Sequence, residues 1–89
     1  MPTRRVIVGS KVGLHARPAS LFVQAAARQP VDVTIGKDGG EPVNAKSILS
    51  VISLDARGGD EVILAAEGDG AEQALDELAT VVSTNYDNE

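Results

Sequence analysis

The sequence predicts an α+β fold of four strands and three helices in the order βαββαβα, with an antiparallel sheet carrying its helices on one face. Three observations predict it. Two stretches repeat apolar residues at helical spacing, near residues 16–28 and 71–82. Two others, residues 31–35 and 61–66, have the alternation or the short apolar run of a strand. Glycine and proline punctuate the chain between these stretches.

Arg5-Val6-Ile7-Val8 reads as the first strand, ended by Gly9 and Ser10. The first helix runs from Ala16 to Arg28. Pro18 suits its first turn, Leu21, Phe22, Ala25 and Ala26 form its apolar stripe, and Pro30 stops it. Val31 to Ile35 alternates as a half-buried strand, and Lys37-Asp38-Gly39-Gly40 turns the chain into a short return strand, Glu41 to Asn44. Ser47 to Leu54 is a short helix with Ser47 near its N-cap and Gly58-Gly59 beyond its end. Glu61 to Ala66 is apolar enough to be the centre of the sheet. Ala71, Ala74, Leu75, Leu78, Val81 and Val82 form one stripe of the last helix, with Asp69, Glu72, Asp76 and Glu77 on or near its polar side. Element order leaves strand order open, and a ferredoxin-like arrangement would give the same string.

Composition bounds the function. Eighty-nine residues suit one domain, residues 1–89, which buries about 60–65% of its unfolded surface. Phe22 and Tyr86 are the only aromatics, so the core is built from Val, Ile, Leu and Ala. The absence of cysteine excludes a disulfide scaffold and cysteine catalysis, and suits a reducing compartment. With one histidine and no cysteine, neither a metal nor another cofactor is expected. No apolar run reaches the ~20 residues of a membrane span, and Met1 to Arg5 lead into no signal-type core, so a cytoplasmic protein is expected. The net charge of −5 hides an asymmetry: residues 1–30 carry +5 with no acid, and residues 31–89 carry −10. A basic face around the only histidine suits an anionic ligand or an acidic partner, whereas the overall acidity speaks against nucleic acid.

Gly13-Leu14-His15-Ala16-Arg17-Pro18-Ala19 carries the chemistry. It sets His15 just before a helix, whose first amides lack intrahelical partners and lie at the positive end of the macrodipole. A phosphate on the ring would meet the helix start at Ala16, Arg17 and Pro18, with the planar fork of Arg17 matched to its oxygens. A neutral imidazole is a nucleophile near pH 7, and in-line phosphoryl transfer asks for little beyond positioning and charge. A lone histidine is thin equipment for a hydrolase. The plainer alternative is a surface histidine beside a solvated arginine.

Gly13 to Ala19 resembles the active-centre signature of HPr, the histidine-containing phosphocarrier of the bacterial phosphoenolpyruvate-dependent sugar phosphotransferase system. Asn44 to Leu54 resembles the same family's second signature, around a regulatory serine. The resemblance implies an open-faced β-sandwich. It implies a phosphoryl group taken onto Nδ1 of His15 from Enzyme I and passed to the EIIA domains of sugar permeases, with Arg17 stabilising it. It also implies a serine at Ser47 that a dedicated kinase phosphorylates in some bacteria, and docking through Ser20, Ile48, Leu49 and Ile52; a carrier that must present one site to several partners is expected to be a monomer. Two departures stand out. Val12 occupies a position where the family has a small polar residue, and one extra residue, placed in the Lys37 to Gly40 turn, shifts the serine by one.

Two other readings compete. A co-regulator, or a carrier for a nitrogen-related chain, shares the motifs, although His15 argues against a purely serine-regulated form. A ferredoxin-like module binding RNA is weaker, because the chain has almost no aromatics for base stacking, whereas composition leaves open a phosphate-binding module that never becomes phosphorylated. A kinase or hydrolase would need a Walker-type loop or a carboxylate pair that is missing here.

Overall fold

The computed structural model describes residues 2–11 and 13–84. Its elements are β1 (Thr3–Ile7), α1 (Ala16–Ala27), β2 (Val33–Lys37), β3 (Val43–Asn44), α2 (Ile48–Ser53), β4 (Glu61–Ala66) and α3 (Ala71–Ser83). All neighbouring strands are antiparallel, in the order β1-β4-β2-β3. This order makes β4 central, as its apolar run predicts.

Alternation decides which face the helices cover. Val33 and Ile35 of β2 and Val62, Leu64 and Ala66 of β4 are buried, while Thr34, Ile63 and Ala65 between them are only half-buried. The buried set joins Phe22, Ala25 and Ala26 of α1, Val51 of α2 and Ala74, Leu75 and Leu78 of α3 in one apolar cluster. Among the described residues no helix lies on the other sheet face, which is the open-faced arrangement. Leu21 and Val81, placed in the helical stripes by spacing, are only half-buried, with Val81 packed against the margin of the cluster.

Strand ends differ from the sequence reading for reasons of pairing. The alternation from Val31 is in phase, but β2 begins at Val33, because its partner Ala66 is the last residue of β4 and Val31 and Asp32 have no strand beside them. At its other end β2 runs on through Gly36 and Lys37, opposite Ile63 and Val62. The return strand shortens to Val43–Asn44, since Pro42 has no N–H to give to a ladder. β1 starts earlier, at Thr3, opposite Ala65. Val8 leaves that ladder yet stays buried, donating to the Asp60 carbonyl at 2.9 Å and accepting from the Gly59 amide at 3.0 Å.

The Lys37 to Gly40 turn is closed by the Gly40 amide on the Lys37 carbonyl at 2.9 Å, with Gly39 at φ +81°. It is an exposed reversal that can absorb the extra residue.

Candidate phosphoacceptor site

The loop before α1 is tied down by backbone. Gly13 adopts φ +78°, and a Cβ there would lie 2.1 Å from the Ala56 carbonyl oxygen, so only glycine fits. The tight approach lets the Leu14 amide donate to that same carbonyl at 2.8 Å, and Leu14 and Ala56 are both buried. Gly13→Ala is therefore expected to cost more than about 2 kcal/mol, from the left-handed backbone and the overlap together, measurable by urea unfolding.

His15 is the N-cap of α1, with extended backbone at φ −130° and ψ 164°. Its ring makes no capping bond to the helix, and its side chain is 34% exposed. Ala16 follows at φ +50°, a conformation that costs an L-residue about 1–2 kcal/mol and turns the chain sharply from the loop into the helix. Arg17 is exposed on the first turn, and Pro18 is buried there. Val12, the departure from the family's polar residue, lies outside the described residues.

The other half of the site comes from the exit of α2. The chain leaves that helix through Leu54 and then Asp55, which is left-handed at φ +54°, so the positive-φ residue directly after the helix is an aspartate and not Gly58 or Gly59. Asp55 Oδ1 lies 3.2 Å from His15 Nε2, and Oδ2 accepts from the Arg57 guanidinium at 3.1 Å. Lys37 reaches the Asp55 carbonyl at 3.4 Å and the Asp60 carboxylate at 3.6 Å. The guanidinium of Arg57, by hydrogen bond and by charge, holds the Asp55 carboxyl below its ordinary pKa, with His15 adding less. Sequence reasoning missed Asp55 and Arg57. No local spacing signals a contact between residues forty apart.

Ser47 caps α2: its Oγ accepts from the Ser50 amide at 3.3 Å, as its position predicts. Ser47→Ala is expected to lose about 0.5–2 kcal/mol in chemical denaturation, with the fold retained. On the same helix Val51 is buried, whereas Leu49 is 76% exposed and Ile48 and Ile52 are each 38% exposed. Ser20, half-buried on α1, accepts from the Gln24 amide group at 3.1 Å. Helices α1 and α2 pack together, so the His15 end and the apolar α2 side chains belong to one assembly of elements. Lys46, two residues before α2, pairs with Asp32 at 3.4 Å. Among the described residues, no group of three or more His, Cys, Asp and Glu side chains could hold a metal ion, and no helix is long and apolar enough to cross a membrane.

A family model described as "PTS HPr component phosphorylation site" matches residues 2–84. The phosphocarrier protein HPr of Streptomyces coelicolor is 55% identical over 83 residues, 93% of this chain and 89% of that one. The crystal structure of HPr from Bacillus anthracis superposes with a TM-score of 0.86 at 48% identity, covering 91% of this chain and 95% of its own. Crh of Bacillus subtilis, whose structure is described as a dimer with a swapped domain, has a TM-score of 0.72 at 49% identity over 92% of this chain and 93% of that chain. Matched along nearly its whole length in sequence and in fold, the chain belongs to the HPr family, the phosphocarriers of the phosphotransferase system.

Proposed function

We propose that His15 is the phosphoacceptor, taking a phosphoryl group on Nδ1 from phospho-Enzyme I and giving it to EIIA domains, with the whole chain acting as a single carrier unit. The observation that carries this reading is the place of His15: at the N-cap of α1, one-third exposed, with its ring not spent on capping the helix. A phosphoryl group on that ring would sit over the positive end of the helix dipole, beside the exposed Arg17. Ala16, Arg17 and Pro18 form that end, and Pro18, in the first turn, has no amide that would go unpaired there. The transfer needs no cofactor, since the ring itself forms the covalent intermediate and the chemistry rests on positioning and charge. That makes the protein a carrier and not a catalyst that turns over alone.

Ser20, Ile48, Leu49 and Ile52 form the docking surface in this reading. Exposed apolar groups beside cations suit acidic partners that must bind weakly and leave fast. A kinase acting on Ser47 would add about two negative charges at the start of α2, favourable for the helix itself and adverse for docking an acidic partner. The working form is a monomer, which light scattering at micromolar concentration would show as one mass of about 9.2 kDa. A doubled mass would align it with the dimeric relative.

The test is incubation with phosphoenolpyruvate and a general Enzyme I, followed by intact-mass and peptide analysis. One acid-labile phosphate on the peptide holding His15 is expected. A folded chain that stays unmodified while Enzyme I is active would overturn the assignment.

A further inference from the structure

The contact between Asp55 and the imidazole reaches further than an ordinary surface ion pair. Asp55 is ionised, because the Arg57 guanidinium 3.1 Å away favours its charged form. An ionised carboxylate can only accept hydrogen bonds. At 3.2 Å from Oδ1, Nε2 of His15 must therefore be the donor. A neutral imidazole has one N–H and one lone pair. If the N–H is held at Nε2, the lone pair is at Nδ1.

We infer that Asp55 is a positioning residue for phosphoryl transfer: through His15 Nε2 it fixes the tautomer and the ring angle that present the Nδ1 lone pair to phosphorus. The inference rests on His15 being the phosphoacceptor and adds how its nitrogen is chosen. In the transfer, the Nδ1 lone pair forms the new N–P bond while the donor's N–P bond breaks, and that electron pair returns to the donor's own ring nitrogen. The proton on Nε2 stays in place throughout. The positive charge that develops on the His15 ring faces the Asp55 carboxylate, an arrangement ready before the reaction begins. When the phosphoryl group moves on, the pair returns to Nδ1 and the ring is again neutral, with its N–H on Asp55.

The backbone supports this role. Asp55 stands in a left-handed conformation at the exit of α2, and the neighbouring Ala56 carbonyl holds the Leu14 amide at 2.8 Å. The carboxylate and the imidazole are thus carried by two segments fastened to each other next door to the contact. Such support gives an exposed pair a defined geometry.

The experiment compares wild type, Asp55→Gly and Asp55→Asn. Glycine suits the left-handed backbone at this position, so the acceptor is removed without a folding penalty, and asparagine keeps an uncharged acceptor. The ¹⁵N shifts of the neutral His15 ring should show pyrrole-like Nε2 and pyridine-like Nδ1 in wild type. The two shifts should move toward each other in Asp55→Gly, with Asp55→Asn between. Phosphoryl uptake from phospho-Enzyme I at limiting concentration should slow about 3- to 10-fold in Asp55→Gly, with Asp55→Asn recovering part of the rate. Unchanged ring shifts in Asp55→Gly would overturn the inference, and so would altered shifts with an unaltered rate. Failure of the underlying assignment looks different, since wild type would then carry no phosphate on His15 at all.

Discussion

Substituting His15 with alanine is expected to abolish acid-labile phosphate uptake from phospho-Enzyme I while the folded protein remains intact. The loss should be total and not graded. His15 is the only histidine in the chain, and no cysteine stands by as a second nucleophile. Serine hydroxyls are weak nucleophiles unless a base activates them, and those of Ser20 and Ser47 accept hydrogen bonds from the Gln24 side chain and the Ser50 amide. Stability should change little, because the ring makes no bond to the helix it precedes and its Asp55 contact lies at the surface. Intact mass gives the phosphate and circular dichroism the fold. A variant that still gains a labile phosphate would place the acceptor elsewhere.

The second large effect is structural. Phe22 is the largest fully buried side chain, and Tyr86, the only other aromatic, lies outside the described residues. It stands on α1 in the same cluster as Ile35, Leu64 and Leu75, and among the described residues there is no second aromatic side chain to fill its place. Phe22→Ala is expected to cost about 3–5 kcal/mol, the lost transfer energy plus that of a cavity left unfilled. A domain of this size has a stability toward the low end of about 5–15 kcal/mol, so the loss is a large part of the whole. With an m-value of roughly 1–1.5 kcal/mol/M, the urea midpoint should fall by about 2–5 M. Phe22→Leu should recover most of it, and equal losses in the two variants would mean that ring shape, not volume, is what the core needs.

What the sequence made legible depended on how local the cause was. Glu61–Ala66 was readable to the residue, because an apolar run flanked by polar and glycine residues carries its own ends. Ser47 announced itself as a cap, since the capping bond spans three residues. The bounds of β1, β2 and β3 were less legible because a strand ends where its partner ends, and partners lie far along the chain. The site divides in the same way. His15, Arg17 and Pro18 form a local signature, and the exposure of Ile48, Leu49 and Ile52 beside buried Val51 follows once α2 is laid on the core. Asp55 belongs to neither kind. Nothing within four residues of it marks it, and its partner is brought close only when Gly13 packs on Ala56.

The left-handed backbone at Asp55 also bears on how the site can change over generations. At φ +54°, glycine, asparagine and aspartate are the residues that stand with least strain. In the genetic code these three are single-nucleotide neighbours through aspartate. A lineage can therefore pass from no acceptor to a charged one beside the imidazole in one mutational step, and from the charged one to a neutral one in a second, without rebuilding a turn. The backbone at this corner works as a socket with few permitted inserts, so the nucleophile's environment can be retuned while the scaffold that displays it stays the same.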